Sequence, residues 1–267
     1  MGRREDGAYA CTKAREIIKK LRIEGVDEID VDLIAATYNV FVVNGGVTGA
    51  EGRLEADNEG GTVRVRSDIS KQPRRRRHVI AHELGHYLIH KDRRALAACS
   101  ERDFTSFSTN KTEEADANWF AAELLMPARL FGPRCDVRQP SLTAIEGLAN
   151  AFQTPLTTTA IRFVDLAPEP CCIVWSESGR VKWAIAGPEF RGFVERDHQL
   201  NSYSVAYDAL RDRRGCKEPQ EVPARAWLEG GRGDLIEDCW YFSGLDAAVS
   251  LLWQPAVDDD ERDDDEA

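Results

Sequence analysis

The chain has 267 residues, 42% of them hydrophobic, with 35 Lys and Arg against 46 Asp and Glu for a net charge of -11 and a sequence pI near 5.1. That length can bury a sizeable core and divides most naturally into two compact units, while the acid excess disfavours direct nucleic-acid binding, which needs a basic surface to neutralise phosphate. No stretch approaches the roughly 20 continuous apolar residues of a membrane span, the opening Met1 to Gly7 lacks the apolar region of a secretion signal, and the seven cysteines contain no C-x-x-C pair, so the expectation is a cytoplasmic protein with reduced thiols.

In chain order, residues 7 to 23 place Ala10, Ile17, Ile18, Leu21 and Ile23 at helical spacing. Asp27 to Asn39 reads as a second helix with Val31, Leu33, Ile34 and Ala35 inside, followed by an apolar strand at Val40 to Val43 that closes at Asn44-Gly45-Gly46. Gly52 to Leu54 and Gly61 to Arg66 read as two further strands around a turn at Asn58 to Gly61. Arg74 to Arg77 form the densest basic run, at a helix start where the macrodipole prefers acids. A solvated face is the ordinary explanation of such a run, and a patch that receives an acidic partner segment or the chain's own acidic tail is the other.

His82-Glu83-Leu84-Gly85-His86 then spells H-E-x-x-H, a zinc metalloprotease signature. Residues four apart on a helix differ by about 40° around its axis and about 6 Å along it, so both imidazoles reach one ion. Four of the five histidines, His78, His82, His86 and His90, fall at successive spacings of four, which an ordinary structural helix would not require. Leu84, Tyr87, Leu88 and Ile89 supply apolar bulk, and Gly85 lets a neighbour approach closely. Two imidazoles leave a tetrahedral zinc short of ligands, so a third ligand and an open position must come from elsewhere. After a polar loop (Lys91 to Lys111), a helix from Thr112 carries Ala117, Phe120, Ala121, Leu124 and Leu125 as its apolar stripe and ends at Met126-Pro127. Glu113 and Glu114 flank that stripe about equally, so periodicity leaves the third ligand open between them, while Asp116 and Glu123 point away. Two helices, a small sheet and the H-E-x-x-H helix are the order of a minimal zincin of the α+β class.

Arg77 to His90, followed by Glu114-Ala115-Asp116-Ala117-Asn118-Trp119-Phe120-Ala121-Ala122-Glu123-Leu124-Leu125-Met126-Pro127, resembles the ImmA/IrrE family of metallo-endopeptidases over roughly residues 8 to 165. The resemblance implies one Zn2+ per chain held by His82, His86 and Glu114, with Glu83 as the catalytic base. It also implies a protein substrate, a helix-turn-helix transcriptional repressor whose cleavage releases stress-response or mobile-element genes. His78-Val79 stands where the family usually has Phe-Thr, a departure that leaves the ligands untouched. The rival reading is a non-catalytic regulatory binding module on a zincin scaffold, which has no need of intact ligands and base.

Ser141 to Val164 has helix-turn-helix character, with Leu142, Ile145, Leu148, Ala149 and Phe152 on one face, a break near Thr154-Pro155, and then Ala160, Ile161 and Phe163. With Arg162 as its only base, the segment is expected to pack against the catalytic domain rather than bind DNA. From Pro170 the period changes: Cys171 to Ser176, Arg180 to Ala186, Ser202 to Tyr207 and Ala224 to Leu228 alternate like strands, with Ser178-Gly179 as a hairpin turn. Alternation would turn one of Cys171 and Cys172 inward and the other outward. Five of the six tryptophans lie in this part and read as core aromatics, and His198 stands alone. The expected division is a zincin-like metallopeptidase domain over 1–140, the helix-turn-helix-like segment over 141–168, a β-rich C-terminal sensor or docking domain over 169–256, and a disordered acidic tail over 257–267.

Overall fold

The computed structural model describes residues 7–57, 59–90, 98–99 and 112–255. The expected acidic tail and nearly all of the polar loop before Thr112 lie outside them. The protein is α+β and divides into two compact units, one built from Met1–Arg134 with Glu146–Arg162 and the other from Cys135–Ile145 with Phe163–Ala267. Among the described residues no helix is long and apolar enough to cross a membrane.

The first unit opens with α1 (Ala8–Lys20), which buries Ala10, Ala14, Ile17 and Ile18. The second helix is shorter than its periodicity predicts. Asp30 Oδ1 accepts the Leu33 amide at 3.0 Å, and this N-cap starts α2 at Val31, after a separate 3-10 turn at Val26–Glu28; the helix runs to Ala36. Leu33, expected inside, is 65% exposed. Strands β1 (Val40–Asn44), β2 (Gly52–Ala56), β3 (Gly61–Val65) and the two-residue β4 (Ala98–Cys99) form a sheet of order β1-β3-β2-β4, with β1 parallel to β3 and the other pairs antiparallel. Asp57 Oδ1 closes the β2–β3 turn by accepting the Glu59 and Gly60 amides at 2.8 and 3.0 Å.

The long helix α3 (Pro73–Ile89) starts on proline, whose missing N–H costs nothing at a helix start. The guanidiniums of the arginine run each tie α3 to another part of the unit. Arg75 is bidentate on buried Glu51 at 2.9 and 2.5 Å, and Arg76 is bidentate on Asp32 at 2.7 and 2.6 Å. Arg77 donates to the Ile29 carbonyl at 3.0 Å, and Arg74 donates to Asn150. Helix α4 (Thr112–Leu125) packs along α3, and α5 (Ala128–Phe131) follows it.

Helices α6 (Leu142–Phe152) and α7 (Leu156–Leu166) occupy the helix-turn-helix-like segment, and the division between the units falls inside both of them. Arg162, the one base available to touch DNA, is 2% exposed and is paired with Glu123 of α4. Glu123 therefore does not point away as the helical wheel suggests. It is 1% exposed, and it also accepts Arg15 at 3.0 and 3.2 Å and the Ala128 amide at 3.2 Å. Enough donors surround this carboxylate to offset its desolvation.

The second unit holds a five-stranded antiparallel sheet of order β6-β5-β9-β8-β7. Its strands are β5 (Cys171–Glu177), β6 (Arg180–Ala186), β7 (Gln220–Pro223), β8 (Asp234–Phe242) and β9 (Ala247–Trp253). The first two agree with the alternation read in the sequence. The strand expected at 202–207 is instead the start of helix α8 (Val205–Asp212), because Ser204 Oγ accepts the Tyr207 amide at 3.3 Å as an N-cap. The strand expected at 224–228 is a 3-10 turn at Ala224–Ala226. Strands β7 to β9 escaped notice, and for β8 the cause is physical, since two of its buried residues are acids. Glu237, fully buried, accepts the Val205 and Ala206 amides at 2.9 Å each, Trp227 Nε1 at 2.8 Å and Ser250 Oγ at 2.8 Å. Its neighbour Asp238 accepts the Leu142 amide at 2.7 Å. Successive strand residues point to opposite faces, so these two carboxylates hold the N-termini of α8 and α6 from the two sides of β8. Cys171 and Cys172 are both buried, contrary to the in-and-out expectation. Burial holds the Cys171 thiol far above its ordinary pKa, which leaves no reactive thiolate there.

Candidate metal centre

Helix α3 is apolar enough on several sides that every residue from His78 to Tyr87 is buried. Its close contact with α4 depends on Gly85: a Cβ there would sit 3.0 Å from Phe120 Cδ1 and 3.2 Å from Ala117 Cα. That contact brings the first turn of α4 over the H-E-x-x-H turn. The Nε2 atoms of His82 and His86 lie 3.0 Å apart, and Glu114 Oε2 lies 3.3 Å from the first and 3.5 Å from the second. The structure thus brings together His82, His86 and Glu114, and it is Glu114, not Glu113, whose carboxylate oxygen joins the two imidazoles in a group that can hold a metal ion. A tetrahedral zinc with ligands at about 2.0–2.1 Å spaces them about 3.3 Å apart, so the three atoms fit one ion.

The remaining ring nitrogens are held as well. His82 Nδ1 faces Asn118 Oδ1 at 2.9 Å, and Asn118, one helical turn beyond Glu114, is fully buried. An amide oxygen accepts, so Nδ1 carries the proton and Nε2 keeps its lone pair for the ion. His86 Nδ1 faces His90 Nδ1 at 3.3 Å. Asp116, expected to point away, brings Oδ2 to 3.7 Å from His90 Nε2. The sequence contained a signal for Asn118 in its spacing of four from Glu114, while the part played by His90 needed the ring orientations.

Glu83, fully buried, follows His82 and lies against strand β2. A Cβ at Gly52 would come within 2.8 Å of Glu83 Oε1 and 2.6 Å of Val79 Cγ1, so the bare backbone of residue 52 makes room for the carboxylate. Electrostatically the cluster is tightly linked. Burial acts to raise the Glu114 carboxyl, but His82 and His86 outweigh it and hold the group far below the ordinary carboxylate range. Burial lowers His82, which favours the neutral imidazole that a metal needs. His86 is raised despite its burial, because Glu114 and then Glu83 favour its cation.

A paired imidazole and carboxylate on two packed helices beside a small mixed sheet define a zincin-like metallopeptidase fold. Residues 46–163 match the peptidase family model described as the IrrE N-terminal-like domain, a match that supports kinship of this segment with the ImmA/IrrE family. Among solved structures it is similar to one described as a Mycobacterium tuberculosis transcriptional regulator, at 17% identity and a TM-score of 0.65 over 92% of this chain and 76% of that one. At that identity the likeness is one of fold. No curated protein matches the chain.

Proposed function

We propose that the protein is a zinc-dependent endopeptidase of the ImmA/IrrE type that cuts a helix-turn-helix transcriptional repressor, releasing stress-response or mobile-element genes. The observation that carries the reading is the triangle of His82 Nε2, His86 Nε2 and Glu114 Oε2, three buried donors at zinc spacing beside a fully buried glutamate. Zinc, when bound, polarises a peptide carbonyl and makes water acidic enough to react near neutral pH. Glu83 takes the proton from the attacking water and delivers it to the leaving amine. The burial of His82 and Glu83 lowers the local dielectric, which strengthens each of these charge interactions. The proposed substrate class rests on the family alone.

Two measurements test this. Purified protein is expected to hold about one zinc, since three side chains and a water complete a catalytic tetrahedron, and His82→Ala and Glu114→Gln are expected to lose it. Glu83→Gln is expected to keep zinc and fold while abolishing cleavage of a repressor encoded nearby, because an amide cannot accept the proton. Full regulatory action by Glu83→Gln in cells would point instead to a non-catalytic binding module.

A further inference from the structure

Where two histidine nitrogens face each other across 3.3 Å, one must donate and the other accept. His86 and His90 are in this position through their Nδ1 atoms, with ring centroids 5.4 Å apart. His86 Nε2 belongs to the triangle with His82 and Glu114, so for that atom to offer a lone pair the proton of His86 must sit on Nδ1. His90 Nδ1 then accepts, and His90 carries its own proton on Nε2. That is the nitrogen facing Asp116 Oδ2 at 3.7 Å, a carboxylate that favours a proton there. Neither partner is placed by chance. His90 is the C-cap of α3, and its amide donates to the His86 carbonyl at 3.0 Å, which stacks the two residues on one face. Asp116 stands on α4 two residues after Glu114, so the helix that supplies the carboxylate of the triangle also supplies the group behind His90.

We propose that His90, backed by Asp116, is a positioning residue that fixes the tautomer and ring orientation of His86 and thereby sets the zinc affinity of the site. The inference deepens the metallopeptidase reading and rests on it. Partners behind a metal-ligating histidine are worth about 10- to 100-fold in metal affinity, and this site has one for each histidine, Asn118 for His82 and His90 for His86.

The test is a zinc titration of the full-length apoprotein in competition with a chromogenic chelator. His90→Phe keeps a ring of similar size but removes the acceptor, and it is expected to weaken zinc binding about 10- to 100-fold. His90→Gln restores a carbonyl acceptor and is expected to recover most of that loss. Asp116→Asn, which keeps the shape and removes the charge, is expected to weaken binding a few-fold. Equal affinity of wild type and His90→Phe overturns the proposal, as does an equal loss in His90→Phe and His90→Gln, which would mean that the ring merely fills space. If His90→Phe does not fold, Asp116→Asn decides, and wild-type affinity in that variant overturns the proposal. Failure of the underlying metal reading looks different: wild type itself takes up no zinc, or His82→Ala binds it as wild type does.

Discussion

Residue 52 shows how much of the candidate site depends on an atom that is missing. Glycine is the one residue that lets β2 pass against Val79 and Glu83, with a hypothetical Cβ only 2.6 Å from Val79 Cγ1 and 2.8 Å from Glu83 Oε1. In Gly52→Ala the strand or the glutamate must move. The expected outcome is retained zinc, a stability loss of about 1–3 kcal/mol from overpacking, and a fall in kcat with little change in KM, since the displaced group is the base and not a ligand. Metal analysis, thermal unfolding and cleavage kinetics of the one variant separate these effects, and unaltered kcat would mean that the strand, and not Glu83, gives way. The sequence announced His82, Glu83 and His86 by spacing alone, because helical periodicity turns i and i+4 toward one point. It could not separate Glu113 from Glu114 by the same rule, since both flank the apolar stripe of α4. The choice is set by how α4 lies across Gly85, a tertiary contact with no local signature. Gly52 was equally silent, because a glycine opening a strand looks like any turn residue.

Among the elements, legibility followed the source of the burial. Helix α1 and strands β2 and β3 bury apolar side chains at a regular period, while α3, α4 and β5, buried on nearly every face, were readable from their motif or apolar content. Strand β8 buries Glu237 and Asp238, so its pattern looks polar, and its role emerges only with the helices those acids cap. Glu123 misled in the same way, reading as an outward-pointing acid until paired with Arg162. Glu237 allows a direct check. Burial raises its carboxyl above the ordinary value against the pull of its hydrogen bonds, and its two oxygens receive four donors, from Val205, Ala206, Trp227 and Ser250. Glu237→Gln replaces one oxygen by an amino group that faces donors. The expected loss is ~1–3 kcal/mol for each donor left without an acceptor, read by denaturant unfolding, with zinc content unchanged. A variant as stable as wild type would show that the cap on α8 contributes nothing.

For the whole molecule, the consequence lies in how the chain is shared between its two units. His82, Glu83, His86 and Glu114 all belong to the first, which takes Met1–Arg134 and then Glu146–Arg162, while the intervening Cys135–Ile145 belongs to the second. A cut near residue 168 therefore does not separate the units cleanly. It leaves Cys135–Ile145 behind, and with it the start of α6, whose Leu142 amide loses Asp238 as its acceptor. Ser141 Oγ still caps the Ala144 amide at 3.1 Å, so the helix keeps part of its N-terminal support. Loss of a cap costs about 0.5–2 kcal/mol, and for a chain of this size each kcal/mol moves Tm by roughly 2–4 °C. The truncated chain is expected to fold and to bind about one zinc, as the site's ligand count requires, but to melt about 1–8 °C below full length from the lost cap. It is also expected to lose substrate selection or regulation if the segment 169–256 serves as the sensor or docking domain. Calorimetry of both forms with and without zinc reads the first point, and repressor cleavage by the two forms reads the second. Zinc binding by full length but not by the truncated chain would mean that the metal centre depends on the second unit for its folding, and the separation of catalysis from sensing would fail.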